Sequence, residues 1–128
     1  MQEILIDNDK IKSEYERCVK KFGDDDPYES QETIGLRDVL RSHFLIADYF
    51  YTEDYGLGGV GPKQPDLLHS AVYRQFASYG GVDKWKTPYE KCATLVFGIV
   101  KDHPFHDANK RTSLLTLLYF LNKMKRIP

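Results

Sequence analysis

The chain has 128 residues, enough for one domain with one hydrophobic core and too few for two ordinary domains. Hydrophobic residues make up 41% of it and charged residues 29%, a mixture that excludes a disordered or fibrous protein. The net charge of −1 gives no overall electrostatic attraction to nucleic acid or to an anionic membrane, so we expect neither as a partner.

The ends of the chain and its cysteines bear on the compartment. The first residues lack the basic and long apolar segments of a signal peptide, and the longest apolar run, 114–121, is too short to span a bilayer. Cys18 and Cys92 lie in apolar-periodic stretches, where free thiols behave as small core residues. A disulfide between them is the less favoured alternative. We therefore expect a cytoplasmic protein.

Hydrophobic periodicity predicts helices in the first part of the chain. Apolar residues at helical spacing indicate one helix over 11–22, which Gly23 ends, and a second over about 36–51. The stretch 56–65 is rich in glycine and proline and is predicted to be a loop. Pro65 suits the first position of a third helix that reaches about Phe76.

The second part of the chain contains the strongest helix signal. After a turn at 79–82, the segment to Lys86 is either a short hairpin or a simple loop. Thr87 and Glu90 form a capping-box pattern that opens a helix to about Asp102. The last helix starts near Asn109 and is apolar on nearly all sides, which predicts that the domain packs around it. We therefore expect an all-α domain with two central buried helices.

The segment joining these two helices carries the chemistry; from His103 to Ser113 it reads HPFHDANKRTS. Lys110 and Arg111 fall in the first turn of the last helix, where the helix dipole disfavours cations unless a polyanion binds there. A nucleoside triphosphate with its metal is such a polyanion. Asp107 can hold Mg²⁺ and His103 can accept a proton near neutral pH. Together they predict a phosphoryl- or nucleotidyl-transfer site.

The same residues resemble a known family signature. HPFHDANKRT is similar to the Fic/Doc motif, in which a His-Pro-Phe-x-Asp-x-Asn core precedes lysine or glycine and then arginine. Ala108 and Lys110 stand where AMP-transferring Fic enzymes usually carry glycines, and Leu114 where they carry a second arginine. The pattern resembles the Doc (death-on-curing) branch. The resemblance extends to 58–61, 67–71 and 87–121, and implies a Fic/Doc-type helical bundle with two central helices and a flap hairpin near 78–86.

The resemblance also implies an activity. Doc-like toxins transfer phosphate from ATP, with Mg²⁺, to a hydroxyl of elongation factor Tu, which blocks translation. It implies His103 as the catalytic base, Asp107 as the metal ligand and Asn109, Lys110 and Arg111 as phosphate ligands. A separate antitoxin is the expected protein partner.

The domain organisation follows from the extent of the resemblance. We assign 1–34 to an N-terminal helical extension and 35–128 to the Fic/Doc core. The family usually continues for further helices after the motif helix. Because the sequence stops at Pro128, we expect those C-terminal helices to be missing.

Other readings stay open. The same scaffold can transfer AMP instead of phosphate, or act as an inactive binding module of a toxin–antitoxin pair. An HD-type phosphohydrolase would need His43 and His69 beside His106 and Asp107, and a later aspartate that the sequence lacks. His103 and His106 lack partners for a zinc site. We therefore expect structural roles for His43 and His69, and contact with the target for Trp85 in the flap.

Overall fold

The computed structural model describes residues 6–23, 25–52 and 59–125, and within them the regular secondary structure is helical apart from one short hairpin and an isolated bridge between Pro62 and Phe105. The elements are α1 (Asp9–Phe22), α2 (Leu36–Thr52), α3 (Pro65–Tyr73), a 3₁₀ turn (Arg74–Phe76), β1 (Ser78–Tyr79), β2 (Val82–Asp83), α4 (Pro88–Asp102) and α5 (Asn109–Lys125). The predicted all-α class with a flap hairpin is confirmed. The predicted loop at 56–65 lies partly outside the described residues.

Capping residues define where the helices begin. The Asn8 side chain accepts hydrogen bonds from the N–H groups of Lys10 and Ile11, at 2.9 and 3.1 Å, which starts α1. At the start of α4, the Thr87 hydroxyl accepts from the Glu90 N–H at 3.1 Å, and the Glu90 carboxylate accepts from the Thr87 N–H at 3.1 Å. The predicted capping box is confirmed.

The start of α2 is built from the loop that precedes it. Asp26 accepts hydrogen bonds from the N–H groups of Leu36 and Arg37 at 3.2 and 3.1 Å. A Cβ atom at Gly35 would lie 2.3 Å from the Asp26 carboxylate, so only glycine permits this close approach. The loop at 25–35 therefore sets where α2 begins.

One hydrophobic core joins the helices. Within the described residues, α5 packs on both α2 and α4, α1 packs on α2, and α3 packs on α4. The core's largest fully buried apolar side chains come from four helices and two loops: Ile34, Leu40, Phe44, Leu68, Leu95, Ile99, Phe105 and Phe120. Ile11 of α1 is also buried in it, so the predicted N-terminal extension shares this core; the boundary at residue 34 stays a prediction.

The burial of α5 differs from the sequence expectation. Its buried face is formed largely by small polar residues, with Thr112, Ser113, Thr116 and Phe120 on it. Leu114, Leu118 and Leu121 are instead 56%, 52% and 44% exposed. The expectation that α5 is covered on nearly all sides is therefore wrong. The physical reason is close packing: threonine and serine let α5 approach α2 and α4 more tightly than leucines would, and the leucines fall on the opposite face.

The segment 78–83 forms a hairpin, which is one of the two alternatives predicted for it. Ser78 pairs with Asp83 and Tyr79 with Val82 in an antiparallel ladder. Gly80 and Gly81 have φ values of 56° and 81°, as a two-residue type I′ turn requires. The segment is therefore a hairpin and not a simple loop.

The third helix is shorter than predicted because its last turn tightens around a buried glutamine. The predicted helix to Phe76 ends at Tyr73 and continues as a 3₁₀ turn. The side chain of Gln75 donates to the carbonyls of Ile34 and Val72 at 2.8 and 2.9 Å, and it accepts from the Ile34 N–H at 2.8 Å. These bonds tie the turn to the loop before α2.

Both cysteines are free thiols, and burial raises the pKa of Cys92 to about 12. The disulfide alternative is therefore wrong.

Of the helices in the described part of the chain, none is long and apolar enough to cross a membrane.

Candidate active site

The loop between α4 and α5 begins with an unusual backbone conformation. His103 ends α4 in the left-handed region, with φ 50° and ψ 60°, and its N–H donates to the Ile99 carbonyl at 3.2 Å. Left-handed residues turn the chain sharply out of a helix, although glycine usually occupies this position. As a result, the His103 side chain is exposed at the surface while Pro104 and Phe105 turn inward.

Phe105 anchors the loop in the core. It is 1% exposed, and its ring stacks on that of His43 with centroids 4.0 Å apart and planes at 9°. The Asn109 side chain accepts a hydrogen bond from the Phe105 N–H at 3.0 Å and donates one to the Phe105 carbonyl at 3.1 Å. Phe105 therefore holds the loop against the core.

A second segment, 59–63, binds the outer side of the loop. The Lys63 N–H donates to the Pro104 carbonyl at 2.7 Å, and the His106 N–H donates to the Gly61 carbonyl at 3.1 Å. A Cβ atom at Gly59 would lie 2.8 Å from the His106 Cβ, so the two backbones approach closely. The glycines of this segment were the sequence signal that a neighbouring part of the chain passes close by.

The start of α5 is held by a strained residue. Ala108 has φ 63°, a conformation that costs an L-residue about 1 kcal/mol. The Asp107 carboxylate accepts from the Ala108 N–H at 2.6 Å. This contact orients Asp107 at the first turn of α5, where the opening N–H groups lack partners within the helix.

The predicted site residues lie together. An open cleft of about 360 Å³ at the N-terminal end of α5 is lined by His103, His106, Asp107, Ala108, Asn109, Lys110 and Arg111. All five residues predicted from the sequence are among them. The side chains of His103, Lys110 and Arg111 are exposed, and that of Asp107 is partly buried.

The two cations are placed differently. The Arg111 guanidinium lies over the Phe50 ring of α2, 4.2 Å from its centroid, which orients it against the protein surface. Lys110 is exposed beside it on the first turn of α5. Together they give this end of the cleft a positive charge that adds to the helix dipole.

Asn109 differs from the other four predicted residues. It is 8% exposed, and both polar atoms of its side chain bind the backbone of Phe105. Its side chain therefore acts in this structure as a clamp on the loop. Its role as a phosphate ligand stays a prediction, for which its place in the first turn of α5 offers a backbone N–H.

The residues of the cleft fit Mg²⁺ better than a transition metal. In the described part of the chain, no three His, Cys, Asp or Glu side chains lie close enough to hold a metal ion among themselves. The ligand sets that zinc or an HD-type site would need are therefore not assembled there. Mg²⁺ needs only one or two carboxylates when phosphate oxygens and water complete its shell, and Asp107 can supply one.

The comparison with protein families agrees with this geometry. A helical domain that presents a His-Pro-Phe-x-Asp loop at a cation-rich helix start matches the family described as Fic/DOC over residues 7–121. The chain belongs to the Fic/DOC family, whose members are typically nucleotidyl- or phosphotransferases. The match includes most of the predicted N-terminal extension. Among curated proteins and solved structures, none matches the chain significantly.

Proposed function

We propose that this protein is a Doc-like kinase that transfers the γ-phosphate of ATP to a hydroxyl group of a protein, with elongation factor Tu as the first candidate target. The observation that supports the proposal most is that His103, Asp107, Asn109, Lys110 and Arg111 line one cleft at the start of α5. Phosphoryl transfer depends mainly on positioning and charge neutralisation, and this cleft offers both.

The charges of the cleft favour a polyanion. Lys110 and Arg111 stand at the helix end where the dipole disfavours cations. A triphosphate between them would offset this unfavourable placement, because its charges interact with the cations and with the free N–H groups of the first turn. Mg²⁺ held by Asp107 would neutralise part of the phosphate charge.

His103 is suited to accept the proton of the attacking hydroxyl. Its exposed side chain lies at the edge of the cleft, where a protein substrate can reach it. In the proposed reaction the hydroxyl oxygen forms a bond to the γ-phosphorus while the bond from this phosphorus to ADP breaks. The hydroxyl proton passes to the imidazole of His103 and then to solvent.

Three residues favour phosphate transfer over AMP transfer. Ala108 and Lys110 occupy positions where AMP-transferring relatives usually carry glycine. Leu114, one turn after Lys110, is 56% exposed and provides no charge for the β- and γ-phosphates. In AMP transfer the attack would fall on the α-phosphorus and release pyrophosphate, so the fate of each phosphate separates the two reactions.

The test uses the purified protein with Mg²⁺, elongation factor Tu, and ATP labelled at either the γ- or the α-phosphate. We expect label on the target from γ-labelled ATP alone. Label from the α-position would contradict the kinase proposal and place the protein with the AMP-transferring enzymes. If neither label is transferred while ATP binds, the inactive binding module is favoured, with a separate antitoxin as its proposed partner. A cell lysate incubated in parallel with the purified protein and γ-labelled ATP would reveal a different target.

A further inference from the structure

His43 of α2 lies behind the motif loop, outside the cleft, and is fully buried. Its ring stacks flat on Phe105, at 4.0 Å and 9°, and meets Phe44 edge-on at 5.2 Å. A buried histidine whose faces only fill space could be replaced by phenylalanine at little cost. The ring of His43, however, also makes hydrogen bonds that phenylalanine cannot make.

Both ring nitrogens of His43 are hydrogen-bonded to parts of the chain that border the motif loop. The Gly61 N–H donates to Nε2 at 2.8 Å, so Nε2 carries no proton. The neutral ring therefore carries its proton on Nδ1, which lies 3.2 Å from the Thr112 hydroxyl in the first turns of α5. Burial lowers the pKa of His43 to about 3, so the ring stays neutral at physiological pH.

These contacts join two segments that border the motif loop on different sides of it in the sequence, 59–63 and the start of α5. Gly61 belongs to the segment that binds Pro104 and His106 on the outer side of the loop. Thr112 belongs to the helix whose first turn carries the two cations of the cleft. Phe105 lies two residues from His103 and two from Asp107, so a change in its position would move the backbone that carries both side chains.

We propose that His43 is a positioning residue: in its Nδ1–H form it links Gly61, Phe105 and Thr112 and so sets the arrangement of His103 and Asp107 in the cleft. The link to catalysis rests on the proposed function. The positioning of the loop does not, and it can be measured without any activity.

The chain offers a direct probe because it has only four histidines: His43, His69, His103 and His106. With histidine labelled in its ring carbon and nitrogen atoms, NMR reports each imidazole separately. His69 serves as the internal control, because it packs between Phe22 and Tyr28 and does not line the cleft. In the unaltered protein we expect His43 to show a protonated Nδ1 and an unprotonated Nε2. The opposite tautomer, or a mixture, would overturn the proposal without any variant.

Two variants then separate positioning from packing. His43→Phe keeps the ring stack but removes both hydrogen bonds, and Thr112→Val removes only the partner of Nδ1. We expect His43→Phe to shift or broaden the signals of His103 and His106 while His69 stays unchanged, with a smaller effect of the same kind from Thr112→Val. If the signals of His103 and His106 are unchanged in a folded variant, His43 only fills the core. Should His43→Phe not fold, Thr112→Val and the tautomer of the unaltered protein still decide.

The catalytic consequence is tested in the labelled-ATP assay. We expect His43→Phe to lower the turnover number at least tenfold with the KM for ATP within about twofold, and His43→Gln, which can restore an acceptor for Gly61, to recover part of the rate. A fall in rate that follows only the folded fraction of each variant would contradict a positioning role. If the unaltered protein transfers no phosphate, the proposed function fails, while the NMR result still decides whether His43 sets the loop.

Discussion

The side-chain amide of Asn109 hydrogen-bonds both the N–H and the carbonyl of Phe105, at 3.0 and 3.1 Å. The clamp closes the loop between α4 and α5 from inside. Buried backbone N–H and C=O groups without partners are unfavourable. This one side chain therefore supplies the hydrogen bonds that a neighbouring strand or helix turn supplies elsewhere.

Removing the clamp should therefore weaken the fold. We expect Asn109→Ala to lower the free energy of unfolding by roughly 2 kcal/mol, because it leaves both polar groups of the Phe105 peptide without their partner. Asn122→Ala, on the exposed face of the same helix, is the matched control and should change it by less than about 0.5 kcal/mol. Urea denaturation of the two variants measures the difference. Equal effects would show that the clamp contributes nothing to stability.

The left-handed Ala108 can be tested by relieving its strain. Glycine adopts a φ of 63° freely, but loses more conformational freedom on folding. We expect Ala108→Gly to leave the free energy of unfolding unchanged or to raise it by up to about 1 kcal/mol. Ala93→Gly, at an exposed position within α4, should lower it by about 1 kcal/mol. If both glycines destabilise equally, Ala108 is not strained in solution.

The capping box at the start of α4 gives a separate prediction about stability. Thr87→Ala removes the hydroxyl that accepts from the Glu90 N–H, and we expect a loss of about 1 kcal/mol. Lys86→Ala, at the exposed position before the N-cap, should change stability by less than about 0.5 kcal/mol. Thermal unfolding followed by circular dichroism distinguishes the two variants. A Thr87→Ala protein as stable as the control would mean that the box does not form.

The two faces of α5 should respond very differently to truncation. Phe120 is 1% exposed, and we expect Phe120→Ala to cost roughly 3–5 kcal/mol. Leu118 is 52% exposed, and Leu118→Ala should cost less than about 1 kcal/mol. A large cost at Leu118 in urea denaturation would show that this face is covered in solution.

The pH dependence of stability should carry a contribution from His43. Burial lowers the pKa of His43 in the folded protein to about 3, against an opposing effect of the Asp107 carboxylate and with a further lowering by His106, whereas the pKa of an unfolded histidine is about 6.5. Between these values the unfolded state binds more protons, so this contribution to stability is complete above pH 6.5 and is lost as the pH falls.

His43→Phe lacks this proton site, so its own stability should depend less on pH. We expect the free-energy difference between the unaltered protein and His43→Phe to shrink by up to about 2 kcal/mol from pH 7 to pH 5. Urea denaturation of both proteins at each pH measures it. A difference that is the same at both values would mean that His43 is accessible to protons in the folded state.

Much of the helical architecture was predictable because its signals are local. The capping pattern at Thr87 and Glu90 and the proline at position 65 mark helix starts by the chemistry of the backbone alone. The candidate site was predictable for a similar reason, since its polar residues fall within nine positions of the chain and the turn that gathers them is short.

What could not be predicted depends on contacts between distant segments. The many apolar residues of α5 predicted burial on nearly all sides of the helix. The face that packs against α2 and α4 instead carries the short side chains of Thr112 and Thr116, which allow close packing. The clamp by Asn109 and the links made by His43 likewise need Phe105 and Gly61 to be in place. Residue type suggested a phosphate ligand at Asn109 and a core residue at His43, but only their hydrogen-bond partners reveal the clamp and the link.

The most direct test of the central claim compares the unaltered protein with His103→Ala in γ-phosphate transfer, with ATP affinity measured on the same samples. We expect transfer to be lost while the dissociation constant for ATP stays within about twofold, because His103 accepts a proton and the cations of α5 hold the nucleotide. Lys110→Gly, as the companion variant, should weaken ATP binding instead. Transfer that survives in His103→Ala, or ATP binding that is lost with it, would contradict the account.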